Sequence, residues 1–144
     1  QAYAAWLDRT GRLPGARLCT ELEWERAARG ADDRLYPSGD VLLPDDANFD
    51  ETYGRQPLAF GPDEVGAHPR SDSPFGVADL AGNLWEWTQP EPSRARDATV
   101  FYRGGSWYHD RLSSQSTNRS AGEVSQRTLY LGLRVCASPK GLIP

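Results

Sequence analysis

Asp79 and Glu86 bracket a tight Ala81-Gly82-Asn83 turn. Two carboxylates beside the backbone carbonyls that a glycine turn exposes form a set of hard oxygen donors, which suits Ca2+ and not zinc. The same residues also suit a plainer arrangement, with Glu86 paired to an arginine in the core and Asp79 capping a turn. Other groups able to do chemistry are few. The histidines are His68 and His109, and the cysteines are Cys19 and Cys136. With two histidines and no nucleophile elbow, no Ser-His-Asp hydrolase assembles from this chain. Gly104-Gly105 is not followed by a clear helix, so it reads as a site of close packing or unusual φ, not as a phosphate loop. Cys19 and Cys136 lie near opposite ends, which leaves both a long-range disulfide and two buried thiols open, and excludes a disulfide-rich scaffold.

The elements that must position these groups are short. Thr20 with Glu23 three residues on is a capping box, and Gly30 is a C′ stop, which together predict a helix over 20–30. Leu22, Trp24, Ala27 and Ala28 form its inward set. Tyr3, Trp6 and Leu7 at helical spacing predict a helix over 2–10, read as the end of an earlier one. Residues 31–74 are dense in Asp, Gly and Pro and nearly without period; loops of that length are rare in compact domains unless function or a metal holds them. Strand-length apolar segments follow at 76–80, 84–88, 100–102, 106–108 and 131–136, with a polar turn or loop at 94–98. Trp85, Trp87 and Trp107 read as core before they read as a ligand platform.

The 144 residues amount to one domain, long enough to bury a sizeable core. A net charge of −4 provides no electrostatic footprint for nucleic acid. No apolar run is long enough for a transmembrane helix, and no signal peptide is visible. The absence of Met is expected for a piece of a longer chain, one that lacks its N-terminal part. The compartment stays open.

Four segments carry a resemblance. They are Arg17-Leu18-Cys19-Thr20-Glu21-Leu22-Glu23-Trp24-Glu25-Arg26-Ala27-Ala28-Arg29-Gly30; Tyr36-Pro37-Ser38-Gly39-Asp40 followed by Ala47-Asn48-Phe49; Phe75 to Thr88, containing Gly82-Asn83-Leu84-Trp85-Glu86-Trp87-Thr88; and Arg103-Gly104-Gly105-Ser106-Trp107, closing with Leu131-Gly132-Leu133-Arg134-Val135. In this order they resemble the formylglycine-generating enzyme, or sulfatase-modifying factor, family from about Arg12 to Ala137. The resemblance implies a single domain over 1–144 with an α+β, irregular C-type lectin-like fold, few short helices and strands, and bound calcium. It maps one calcium site onto the side chains of Asp79 and Glu86 and the carbonyls of Gly82 and Leu84. A second would use Asn48 and the Phe49 carbonyl, with Asp50 standing in for an acid missing further along.

The family's enzymes oxidise a substrate cysteine using two cysteines that bind copper(I), three and eight residues after the serine of Gly-Gly-Ser. Counted from Ser106, those positions hold His109 and Ser114. Soft thiolates are what copper(I) needs, so neither copper nor formylglycine formation is expected. The expected function is a non-catalytic ligand-binding or protein-interaction module, kinase-associated or the variable protein of a diversity-generating retroelement. Its binding face would lie in 108–130, through Tyr108, His109, Asp110, Ser113, Ser114 and Asn118, and would take a protein, peptide or glycan. A divergent metal-dependent oxidase of the same family is the alternative. Such modules are bacterial, which is the expected origin.

Overall fold

The structure is a computed structural model and describes residues 1–89 and 99–138. Helix α1 spans Ala2–Arg9 and buries only Ala4. Tyr3 stacks on Trp6 at the surface, with their ring centroids 5.7 Å apart. Helix α2 covers Glu21–Arg29 with Thr20 as N-cap. Its capping box forms as the sequence predicts: Glu23 N–H donates to Thr20 Oγ1 and Thr20 N–H donates to Glu23 Oε2. The inward face differs from expectation. Trp24 and Ala28 are fully buried, but Leu22 is 74% exposed and Glu21 takes the inner position. Glu21 can do so because Arg103 and Arg119 meet its carboxylate.

Strands β1 (Arg17–Leu18), β2 (Trp85–Trp87), β3 (Thr99–Arg103), β4 (Arg119–Glu123), β5 (Leu131–Leu133) and β6 (Val135–Cys136) form two sheets. One holds four strands in the order β4-β3-β2-β5, and the other pairs β1 with β6. β2 runs antiparallel to β3 and parallel to β5, with Glu86 opposite both Arg103 and Gly132. Two segments expected as strands are not. Residues 76–80 run through an irregular path in which Gly76 and Asp79 take positive φ. Residues 106–108 form a turn closed by His109 N–H donating to Ser106 O. The polar turn or loop expected at 94–98 lies outside the described residues.

A disulfide joins Cys19 and Cys136 across 117 residues of sequence, with Cα atoms 5.0 Å apart. It sits beside the β1–β6 pair and within a cluster of Trp24, Ala28 and Leu80. The long stretch 31–74 is irregular as expected, yet it has its own core of Tyr36, Leu42, Ala47 and Phe49 against Ala81. Gly82 locks this stretch to the turn beyond it. Its φ is +73°, and a Cβ there would lie 2.2 Å from the Asn48 carbonyl oxygen. Gly105 plays the matching part just beyond β3, at the same end of the sheet: its φ is +74°, and a Cβ would meet Ser114 Oγ at 2.5 Å. The close-packing reading of this glycine pair holds.

Candidate functional site

The Asp79–Glu86 turn is built by positive φ at Asp79, Gly82 and Asn83, which folds the chain back before β2 begins. Glu86 is buried on β2 and accepts three hydrogen bonds. Trp24 Nε1–H donates to Oε2 at 2.6 Å, Arg134 Nε to Oε2 at 2.8 Å, and Arg134 Nη2 to Oε1 at 2.7 Å. Burial pushes this carboxyl above its ordinary range, against the pull of the Arg134 guanidinium and the Trp24 N–H. Asp79 Oδ2 accepts from Gly66 N–H at 2.7 Å. The plainer pairing read from the sequence is therefore present.

The same residues border a cavity of about 280 Å3, lined by Asp79, Asn83, Leu84, Glu86 and Arg134. Carboxylate oxygens keep further lone pairs after these bonds. No group of three His, Cys, Asp or Glu suited to a metal occurs among the described residues, so a cation here would need backbone carbonyls to complete its ligands beside the Arg134 guanidinium. Asn48 and Phe49 lie directly against this turn. The Asn48 carbonyl accepts from Asn83 N–H at 2.6 Å, and Asn48 Nδ2 donates to Gly61 O at 2.8 Å. The Phe49 carbonyl accepts from Thr52 N–H at 3.0 Å, and Phe49 N–H donates to Thr52 Oγ1 at 2.9 Å. Next to them Asp50 pairs with Arg55 through Oδ2, while Oδ1 is buried with no hydrogen-bond partner among the described residues.

The second region surrounds His109. Its Nδ1 lies 3.1 Å from Trp85 Nε1 and 2.7 Å from Ser106 Oγ. An indole N–H only donates, so Nδ1 is an acceptor and carries no proton; the neutral ring's proton sits on Nε2. Ser106 Oγ also donates to Nδ1 and accepts from Tyr108 N–H. Burial pushes the imidazole below its ordinary value, weakly opposed by Asp110 and Asp50. Aromatic rings extend from this point. Tyr130 meets His109 edge-on at 5.1 Å and stacks with Tyr108 at 6.0 Å. Trp107 and Phe60 continue the array on the other side of Tyr108.

The structure brings Tyr108 and His109 together here, while the other residues expected beside them bond within their own loop or, for Ser114, lie buried. Asp110 caps a short 3-10 turn over Arg111–Ser114 by accepting from Ser113 N–H at 3.0 Å. Asn118 Nδ2 donates to Ser113 O at 3.0 Å, which closes the loop on itself. Ser114 is fully buried beneath Gly105, so it is no surface contact. Sequence reasoning missed Phe60, and nothing in its neighbourhood signals it. It also missed Ser106, whose spacing of three from His109 was the available clue. Trp85 is core, as expected, and Trp87 and Trp107 are half-buried.

The fold and the glycine-turn geometry define a class: an α+β, C-type lectin-like domain of the formylglycine-generating enzyme type. The chain belongs to the family described as the sulfatase-modifying factor enzyme 1-like domain, whose model matches residues 1–139. It is 33% identical over 157 residues to the inactive C-alpha-formylglycine-generating enzyme 2 of Bos taurus, covering 100% of this chain and 48% of that protein. It is 40% identical over 161 residues to the hercynine oxygenase of Mycolicibacterium thermoresistibile, covering 94% of this chain and 33% of that one. Among solved structures it resembles Treponema denticola variable protein 1, with a TM-score of 0.72 at 25% identity over 86% of this chain and 48% of that chain. The chain thus spans half or less of the length of these relatives.

Proposed function

We propose that this domain is a non-catalytic ligand-binding or protein-interaction module on a calcium-stabilised scaffold, with its binding face at Tyr108, His109 and Tyr130. The observation that carries this reading is the wiring of His109, which stands where the family's enzymes have a cysteine. Metal coordination through Nδ1 needs the lone pair that Trp85 and Ser106 already engage. Coordination through Nε2 needs the neutral ring's proton on Nδ1, where the Trp85 N–H already points. The second cysteine position is the buried hydroxyl of Ser114. A fixed imidazole beside the exposed Tyr108 and the half-buried Tyr130 is instead suited to binding, because tyrosine gives large contact area at low entropic cost. Likeness to a variable protein supports a diversified face; a kinase-associated role is the fixed-face version of the same reading.

The test is aerobic incubation of the domain with copper(I) and a cysteine-containing peptide, with aldehyde trapped by a hydrazide. No aldehyde is expected, and turnover would overturn the proposal. The divergent oxidase reading rests on the likeness to hercynine oxygenase. Stoichiometric iron or copper retained through purification would favour it.

The calcium element has its own test. A cation held by Asp79, Glu86 and the Gly82 and Leu84 carbonyls would neutralise two carboxylates sharing one cavity. Adding a chelator is expected to lower the melting temperature of the wild type by several degrees and to leave Asp79→Ala unmoved. Equal responses of the two proteins to chelator would remove calcium from this turn. The same comparison with Asp50→Ala examines the Asn48–Phe49 turn.

A further inference from the structure

A cavity of about 450 Å3 opens on the four-stranded sheet, and neither Tyr108, His109 nor Tyr130 lines it. Strand register accounts for its position. Trp87 stands opposite Tyr102 on β3 and Leu133 on β5, and Trp85 stands opposite Leu131. Paired residues put their side chains on one face of a sheet, and so do residues two apart on a strand. Trp85, Trp87, Val100, Tyr102, Leu131 and Leu133 therefore share a face. Part of that face is sealed. Trp85 and Tyr102 are buried, with the His109 ring edge-on to Trp85 at 5.6 Å and Tyr102 packed between Trp85 and Trp87 at 5.1 and 5.2 Å. The rest is open. Trp87 is half-buried and Leu133 is 43% exposed. The cavity occupies this open part, walled by Leu18 of β1 together with Trp87, Val100, Leu131 and Leu133.

Arg127 stands at the cavity's rim, exposed. Its Nη1 donates to the carbonyls of Val124 and Gln126, at 3.1 and 2.8 Å. Both belong to its own turn, so one corner of the guanidinium is anchored by main chain. The Nε–Nη2 edge has no hydrogen-bond partner among the described residues, and no acidic side chain lines the cavity. That edge presents two parallel N–H donors, the fork that matches a carboxylate.

We propose that this cavity binds a small monocarboxylic acid, its apolar tail against Trp87, Val100 and Leu131 and its carboxylate forked on the free edge of Arg127. The division of labour is the usual one for a small-molecule site: apolar walls supply contact area, and one placed polar group fixes orientation. A single guanidinium edge in an acid-free lining complements a single negative charge. The site is separate from the face at Tyr108, His109 and Tyr130 and does not rest on the function proposed for that face.

The experiment titrates octanoate and octan-1-ol into the 144-residue chain by calorimetry. Octanoate is expected to bind saturably below about 1 mM, within the affinity per atom that small ligands reach. Octanol, of the same tail, should bind about tenfold more weakly for want of the charge-assisted hydrogen bonds. In Arg127→Leu the two should bind alike, at the level of octanol in the wild type. Octanoate binding unchanged in Arg127→Leu, octanoate no better than octanol in the wild type, or no saturable binding of octanoate at all would each overturn the proposal. Chemical shifts of the wild type give a second readout that needs no variant. Octanoate should move the Trp87 indole signal and the methyls of Val100 and Leu131, and leave the Tyr108 and Tyr130 rings in place. Shifts confined to those two tyrosines would remove the ligand from this cavity.

Discussion

Replacing Arg134 with methionine is expected to cost about 3–5 kcal/mol, the penalty for leaving a buried charge without its partner. Glu86 accepts two bonds from this guanidinium and, among the described residues, one more, from the Trp24 N–H. The variant should also acquire a pH dependence. Without Arg134, burial and the nearby Asp79 charge are opposed only by the Trp24 N–H, so the folded value of the Glu86 carboxyl stands further above the unfolded one, which is near 4.3. The native state then binds more protons than the unfolded state between those two values. Stability is retained below the unfolded value and lost as pH rises through the folded one. Thermal melts from pH 4.5 to 8 should therefore diverge from the wild type most strongly at the alkaline end. Adding Glu86→Gln to the variant should restore part of the loss at pH 8, because the orphan charge is gone. Melting of Arg134→Met alongside the wild type at pH 8 would show that the pair contributes nothing.

Reduction of the Cys19–Cys136 bridge is the second large effect. The bridge closes a loop of 117 residues, and disulfides stabilise folded chains by about 2–4 kcal/mol in typical cases, mainly by restricting the unfolded state. For a domain of this size the melting temperature should fall by roughly 10 °C. Cys19 is 1% exposed, so reductant should act slowly on the folded protein and quickly once it opens. Labelling under denaturing conditions without reductant gives a direct count. Two reactive thiols in protein taken from its native source would rule out the bridge there. An intact bridge would point to folding in an oxidising compartment.

How much could be read in advance follows from where each determinant lies. The capping box and the Gly30 stop are local, and α2 forms where they say. The β2 and β3 positions also announced themselves through aromatic and β-branched residues, and β5 through its apolar leucines. Strand β4 did not: Arg119-Ser120-Ala121-Gly122-Glu123 has no apolar face, and it pairs with β3 at the sheet edge through backbone bonds. The inward turn of Glu21 needed Arg103, 82 positions away in the chain, and the Glu86 pairing needed Arg134. No local pattern encodes such partners. The candidate face was half legible. Tyr108 and His109 followed from motif spacing, while the contribution of Phe60 depends on how a loop without period folds back.

The segment between Ser106 and β4 is held by its main chain. Asp50 N–H donates to His109 O, and Ser116 N–H donates to Leu35 O. Arg103 Nη1 donates to the carbonyls of Ser116 and Asn118, at 3.4 and 2.8 Å. These bonds come from outside the segment and ignore which side chains it carries. Its trace is therefore fixed in large part independently of its own side chains, the exceptions being Asp110 and Asn118, which bond within the segment. That independence is uneven, however. Tyr108 and Leu112, 53% and 62% exposed, stand free to change, whereas Ser114 and Ser116 are sealed inside and leave no room for larger groups. Evolution on this face is thus confined to a small outward-facing alphabet, and a lineage that diversified it would be expected to vary the first two positions while keeping both serines.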